Sequence, residues 1–567
     1  MIAKRVVARI FTPLLLVALS GAAEVRAQEP SNTAVDAVFA DYTKPGSPGC
    51  ALGVYRDGKL IYARGYGLAN IEGSVPITPQ AVFDIGSTSK QFTAASILLL
   101  EQQGKLSIDD DVRKYIPELP DYKQKITIRN LLNHTSGLRD YLTLMELAGV
   151  NTDGVTTDDD ALAIIARQKA LNFAPGGEYL YSNSGFFLLS VIVKRANGKS
   201  LREFAAENIF QPLGMTHTSY RDDHTSLISN RALAYDPVEK AGYKLNVSYF
   251  EQTGDGAVHT SVEDLLLWDE NFYTGRILGK DLLAKLQEQG KLTTGKTLDY
   301  AKGLVIGKYR GLRTVSHGGS WGGYRAELLR FPDLHFSVAC LCNVGNANPS
   351  RKAREVAEAY LTAQMKTKES APAAAGAKLP VSVTPTQLQP FTGVYRDAAK
   401  GQIRRVTEKD GKLFIETFGT LVELRPKSAT EFEPVNFPVE VKLIFEPAAG
   451  DALRKLRITG SEMVAASYEA VNVVTPTAAE LAAYAGDYWS DELQVTYAFA
   501  LEDGKLAVRT KNLPPWMLRP TVSDEFDVSG ASVTIRFTRD AKNQLTGFLL
   551  DAGRTRGMVF TRRNSAK

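Results

Sequence analysis

Ser87 and Lys90 stand three residues apart in the stretch Phe83-Asp84-Ile85-Gly86-Ser87-Thr88-Ser89-Lys90-Gln91-Phe92. The run from Lys90 to Leu100 carries Phe92, Ile97, Leu98 and Leu99 and no Pro or Gly, which predicts a buried helix. Residues three apart share a helix face, so the serine hydroxyl and the lysine amine would meet at the helix N-terminus. Exposed N–H groups there favour developing negative charge. A hydroxyl is a poor nucleophile until a base takes its proton, and a desolvated lysine can be that base. Alone, Ser-x-x-Lys is a short pattern that recurs by chance in a chain of 567 residues. Two segments downstream give it weight: Tyr181-Ser182-Asn183 and His317-Gly318-Gly319-Ser320.

The elements around these segments can be read in order. Gly49–Ala69 alternates as a hairpin, Cys50–Arg56 and Leu60–Gly67 about a turn at Asp57-Gly58, and leads into the Ser87 helix. Gly104 caps that helix. Ile126–Leu132 reads as a short helix followed by Asn133-His134-Thr135-Ser136-Gly137-Leu138. His134, beside a turn glycine, reads as a structural hydrogen-bonder rather than a catalytic group. Pro175-Gly176-Gly177 marks a loop, so Tyr181 sits in that loop just before a helix at Phe186–Arg195. A Gly-rich loop, Gly254–Ser261, runs into a helix at Val262–Tyr273. Leu304–Arg310, Arg313–Ser316, Tyr324–Phe331 and Phe336–Val344 read as strands, with the His317 to Gly323 segment as a connection, and Arg351–Gln364 as a helix. A hairpin, then helices, then strands and a helix make an α+β pattern.

From Met365 to Pro385 the composition turns to Lys, Ala, Ser and Pro, as in a linker. Beyond it the chain is strand-rich and repeats itself. Gly393-Val394-Tyr395 and Asp410-Gly411-Lys412-Leu413 recur as Gly486-Asp487-Tyr488 and Asp503-Gly504-Lys505-Leu506, and Phe445 matches Phe537. Two all-β units are expected, since a solenoid would have a shorter period. Tyr395 and Tyr488 read as their core aromatics. The segment Lys511-Asn512-Leu513-Pro514-Pro515-Trp516-Met517 reads either as barrel core or as a loop reaching another domain, even the cleft mouth.

A net charge of +4 is spread along the chain with no dense basic block, which argues against nucleic acid as a partner. Lys4, Arg5 and Arg9 precede an apolar run from Ile10 to Ala23, and Val25-Arg26-Ala27 offers a cleavage site. Residues 1–27 are therefore expected to be a signal peptide, the chain periplasmic or secreted, and no membrane span to remain after processing. Of the three cysteines, Cys340 and Cys342 share one face of a strand. They read as buried small hydrophobes, with a bridge from Cys50 to one of them as the other option. No CxxC, HExxH or His/Cys cluster supports a metal, and no cofactor is expected.

Ser87-x-x-Lys90, Tyr181-Ser182-Asn183 and His317-Gly318-Gly319, in this order and context, resemble the serine β-lactamase and penicillin-binding-protein superfamily, in its class C-like branch. The resemblance covers about residues 35–365 and extends to Gly104–Asp111, Asn133–Leu138 and Gly254–Asp264. It implies a β-lactamase-like domain over 28–365, an antiparallel sheet with flanking helices and an all-helical region, before a linker at 366–385. The repeats, 386–474 and 475–567, resemble the lipocalin-like barrels appended to some D-aminopeptidases.

The resemblance also implies roles. Ser87 would form an acyl-enzyme, Lys90 would accept its proton directly or through Tyr181, and Tyr181 would protonate the leaving group. Asn183 would hold Lys90 and the substrate amide, and the N–H groups of Ser87 and Ser320, beside Gly319, would form the oxyanion hole. His317 stands where β-lactamases of this branch usually carry Lys, and Gly318 replaces a common Thr. Both departures argue against efficient β-lactam hydrolysis. The expected activity is an exported serine hydrolase acting on a small-molecule or peptide substrate, D-amino-acid peptides being favoured. Ester or β-lactam hydrolysis is the alternative, and a non-catalytic envelope binding protein is the rival of another class.

Overall fold

In the computed structural model, residues 32–366 and 385–563 are described, apart from 152, 240–241, 398–399, 418–419, 436–440, 447–453 and 461–462. The expected leader and nearly all of the expected linker lie outside them. No helix among the described residues is long and apolar enough to cross a membrane.

The N-terminal part, the catalytic body of the expected hydrolase, is built on a six-stranded antiparallel sheet in the spatial order Val305–Tyr309, Leu312–Trp321, Tyr324–Phe331, Phe336–Cys342, Cys50–Arg56, Lys59–Tyr66. Both faces are covered, so the central strands are buried on both sides, as Phe336–Cys342 is throughout. Leu52, Val54, Val338 and Cys340 pack against Val356, Ala357 and Tyr360 of the helix Pro349–Leu361. Their neighbours Ala51, Tyr55, Ala339 and Leu341 face the larger core with Leu265 and Trp268 of the helix Val262–Thr274. The all-helical part packs Lys90–Gln102 against Asn183–Asn197.

Two sequence expectations need correction here. The glycine-rich segment after Ser316 is not a connection but the end of one long strand, Leu312–Trp321, in which Gly318 and Gly319 pair with Glu327 and Ala326. Glycine is found in this strand because the backbone comes too close to the Ser87 turn for a side chain. A Cβ on Gly319 would lie 1.8 Å from the Ile85 carbonyl oxygen. Second, Cys342 is not a small hydrophobe: register places Cys50 directly opposite it, and the two form a disulfide while Cys340 stays a buried thiol.

The C-terminal part forms two closed antiparallel barrels of eight strands each, from Gly393–Asp397 to Met463–Val471 and from Gly486–Ser490 to Thr555–Arg562. Tyr395 and Tyr488 are fully buried and send their hydroxyls four residues back, to the carbonyls of Phe391 (2.8 Å) and Tyr484 (3.0 Å). Each also meets its matched phenylalanine, Phe445 or Phe537, edge-on at 5.7 Å between ring centres.

Candidate active site

The Ser87 turn is a short 3-10 segment, Gly86–Ser89, running into the helix Lys90–Gln102. Gly86 adopts φ +49° and its amide donates to Asp84 Oδ1 at 2.8 Å, which bends the chain so that Ser87 faces the cleft. The Thr88 hydroxyl ties the turn to the His317 carbonyl at 3.0 Å. The strand Leu312–Trp321 is thereby held against the turn, with the Ser320 backbone beside Gly86.

Lys90 is fully buried. Its Nζ donates to Ser87 Oγ at 3.0 Å, to Asn183 Oδ1 at 3.0 Å and to the Asp255 carbonyl at 2.5 Å. Burial pushes its amine well below the ordinary lysine range; the Asp255 charge opposes this, and Arg554 adds to it. Burial likewise pushes the Asp255 carboxyl up, against the pull of Lys90. A lysine in this state can hold a lone pair toward Ser87 near neutral pH.

Asn183 is the first residue of the helix Asn183–Asn197, and its amide donates to Asp140 Oδ2 at 2.7 Å. Asp140 caps a second helix, Tyr141–Leu147, through Oδ1 to the Thr143 amide at 3.2 Å. One carboxylate thus satisfies orphan donors at two helix N-termini and sets the Asn183 position. Tyr181 is half-buried with its hydroxyl shielded from solvent, and its ring centre lies 4.9 Å from Lys90 Nζ. Burial raises its phenol above the ordinary tyrosine value, while the neighbouring Ser87 hydroxyl and Arg554 pull it back. Among the described residues its hydroxyl has no hydrogen-bond partner of good geometry, which leaves it able to meet a reacting group.

His317 lines the cleft, but both its ring nitrogens are engaged. Nδ1 donates to the Gly318 carbonyl at 2.7 Å, which assigns Nε2 as the acceptor from Tyr300 Oη at 3.1 Å. Burial and the nearby Lys90 push its pKa down to about 4, so it is neutral at pH 7. His134 accepts the Ser182 amide on Nδ1 at 3.2 Å and packs against Tyr181 with ring centres 4.2 Å apart and planes tilted by 36°.

These groups line one cleft of about 720 Å³: Ser87, Tyr181, Asn183, His317, Gly319 and Ser320, with Lys90 behind Ser87. Asp140, Asp255 and Tyr300 were not singled out from sequence. Asp255 falls inside the Gly254–Asp264 segment, and Asp140 precedes a helix in a capping position, which is a local signal. Arg554, also in the cleft wall, comes from the second barrel and has no sequence signal at all. The Lys511–Met517 loop, by contrast, stays out of the cleft. Asn512 Nδ2 donates to the Gly149 carbonyl at 2.9 Å, so the loop does reach the catalytic body. Trp516 begins a barrel strand, Trp516–Pro520.

A serine with a buried lysine partner, on a helix end facing a sheet edge, defines a serine hydrolase of the acyl-transfer type. The family model described as Beta-lactamase matches residues 35–363, and the chain belongs to that family. A penicillin-binding protein of Bacillus subtilis is 30% identical over 404 residues, 68% of this chain and 87% of the relative. A D-aminopeptidase of Brucella anthropi is 29% identical over 297 residues, 52% of this chain, which spans only 56% of that relative's length. The solved octameric penicillin-binding protein homologue from Pyrococcus abyssi shares the fold, with a TM-score of 0.52 and 23% identity over 74% of this chain and 96% of that one.

Proposed function

We propose that this chain is an exported hydrolase that cleaves amide bonds, D-amino-acid peptides or amides among them, through an acyl-enzyme on Ser87. The observation that carries the reading is the 3.0 Å contact between a fully buried Lys90 amine and the Ser87 hydroxyl. Ser87 Oγ attacks the substrate carbonyl and its proton passes to neutral Lys90. The carbonyl oxygen takes up negative charge between the N–H groups of Ser87 and Ser320, each such donor lowering the barrier by about 3 kcal/mol. The C–N bond breaks as Tyr181 delivers a proton to the departing nitrogen, and Lys90 restores it. Water then attacks the ester with the same pair acting as base. Asn183 keeps the Lys90 amine aimed at Ser87. Support for the amide preference comes from the D-aminopeptidase relative. Support for export comes from the basic and apolar N-terminal run and from the Cys50–Cys342 bridge, a feature of oxidising compartments.

A fluorophosphonate probe followed by peptide mass analysis tests the nucleophile: labelling is expected on Ser87, and Lys90→Ala is expected to slow it by about a thousandfold or more. Unlabelled Ser87 in the intact protein refutes the enzyme reading. D-amino-acid amides, short p-nitrophenyl esters and nitrocefin are then compared on one preparation. Turnover of esters alone, or of nitrocefin alone, refutes the amide preference.

A further inference from the structure

Five charged side chains line the cleft in front of Lys90, and four of them take part in hydrogen bonds. Arg221 donates to the carbonyls of Ser248 and His224, and Arg325 to those of Gly322 and Tyr324. Asp84 accepts from the Gly86 amide, and Asp255 accepts from Tyr141 Oη at 3.2 Å. Arg554 is different. Its guanidinium covers the Tyr181 ring at 4.8 Å from the ring centre and lies 3.7 Å from Asp140 Oδ2. Among the described residues it donates no hydrogen bond, and its side chain is 43% exposed toward the cleft.

The backbone that carries it is nevertheless fixed. Arg554 sits at the tip of the hairpin between Leu545–Ala552 and Thr555–Arg562. Asn172 of the catalytic body clamps that tip with both ends of its amide: Nδ2 donates to the Arg554 carbonyl at 2.9 Å, and Oδ1 accepts from the Arg556 amide at 2.8 Å. Arg139 holds the next carbonyls, those of Arg556 and Gly557, at 3.0–3.1 Å. A guanidinium carried on a fixed backbone, lining the cleft with its hydrogen-bond donors unfilled and only a 3.7 Å ion pair to Asp140, suits a planar anion such as a carboxylate in a bidentate pair.

We infer that Arg554 is a specificity-determining residue, and that the enzyme takes substrates carrying a carboxylate on the departing half of the molecule. The assignment to the departing half follows from Tyr181. In the proposed mechanism its hydroxyl protonates the leaving atom, and Arg554 covers its ring. The inference rests on acyl transfer to Ser87 with Tyr181 as proton donor, but not on the class of bond broken.

The test uses two matched pairs on the full-length protein. One is a dipeptide of D-residues and its C-terminal carboxamide; the other is the 3-carboxyphenyl and 3-carbamoylphenyl esters of one acyl group. In either pair the wild type is expected to favour the acid at least tenfold in kcat/KM at low salt, a ratio that shrinks as ionic strength rises. Arg554→Gln is expected to bring the ratio near one, and Arg554→Lys to restore part of it. The salt dependence of the wild type reads the same interaction without any variant. An absent preference, a salt-independent ratio, or an equal loss on acid and amide in Arg554→Gln overturns the inference. Peptides inert while the esters show the Arg554-dependent ratio would keep the inference and refute the amide reading. Peptides cleaved with no acid preference would do the reverse, and turnover of none of the four overturns the inference.

Discussion

The two barrels share strand order, turn chemistry and a buried Tyr–Phe pair, yet they occupy different positions in the molecule's organisation. The first keeps its own core, in which Tyr395, Phe432, Phe445 and Leu456 pack together. The core of the second is continuous with that of the catalytic body. Tyr497 Oη donates to the Leu147 carbonyl at 2.9 Å, and Arg139, 1% exposed in its side chain, pairs with Glu492 at 2.6 Å. Glu492 also accepts the Lys169 amide at 2.7 Å. The first barrel is joined to the second by ion pairs at its flank, Arg396–Glu525, Arg405–Asp527 and Arg519–Glu416. In sequence, at the repeat's offset of about 93 residues, Ser461 is the residue that corresponds to Arg554. A duplicated domain can thus diverge in a few surface residues so that one copy joins an active site and the other does not.

The comparison is most directly broken by opening each core. Phe445→Ala and Phe537→Ala should each cost about 3–5 kcal/mol in their own barrel. By calorimetry, Phe445→Ala is expected to lower a transition that leaves Ser87 labelling intact, whereas Phe537→Ala lowers the one in which labelling is lost. If both variants shift the same transition, the barrels are not energetically distinct.

The docking ion pair comes next. Glu492→Ala leaves the Arg139 charge buried and unpaired, at a cost of roughly 3 kcal/mol or more. Glu525→Ala leaves Arg396 with partial solvent access, at roughly 1–2 kcal/mol. Only the first is expected to reduce turnover, because Arg139 adjoins Asp140, which sets Asn183. Equal stability losses in urea titrations would remove the distinction.

The pH profile offers a finer test. Acylation needs neutral Lys90, whose folded pKa is depressed, so kcat/KM should rise with pH on a limb well below the ordinary lysine range. Arg554 favours the neutral amine, against Asp255 and Asp140, so Arg554→Gln should move that limb to higher pH. Arg404→Gln, in the first barrel, should leave it in place.

The smallest expected effect concerns acid stability. All six histidines lie between positions 134 and 335, and neither barrel has one. Burial holds His317 down to about 4 and His259 down to about 3, so the unfolded chain binds more protons below about pH 6.5. These histidines make the catalytic body less stable as pH drops through that window. Asp84 and Asp158, each pushed up to about 6, and Asp255, also pushed up by burial, act the other way, because the folded state binds their protons first. The two sets oppose each other, so the Tm of the catalytic body is expected to move by no more than a few degrees between pH 6.5 and 4.5.

Much of this architecture was legible in the chain because the signals are local. Gly-capped helices, Asp-Gly turns and the repeated Gly-x-Tyr place their own elements, and Ser87 and Lys90 are neighbours on one turn whatever surrounds them. The strand at Leu312–Trp321 was misjudged because its glycines serve a contact with Ile85 rather than a turn. The bridge depended on register, which pairs Cys50 with Cys342 rather than Cys340. What sequence by itself determined is that Ser87 and Lys90 share one turn and that the C-terminal unit is repeated, since the first is local spacing and the second internal similarity. Tertiary structure alone decided which cysteine pairs, that His317 has no free nitrogen, and that Arg554 reaches a serine 467 positions earlier. Such facts arise from docking surfaces far apart in the chain, and no periodicity or spacing encodes them.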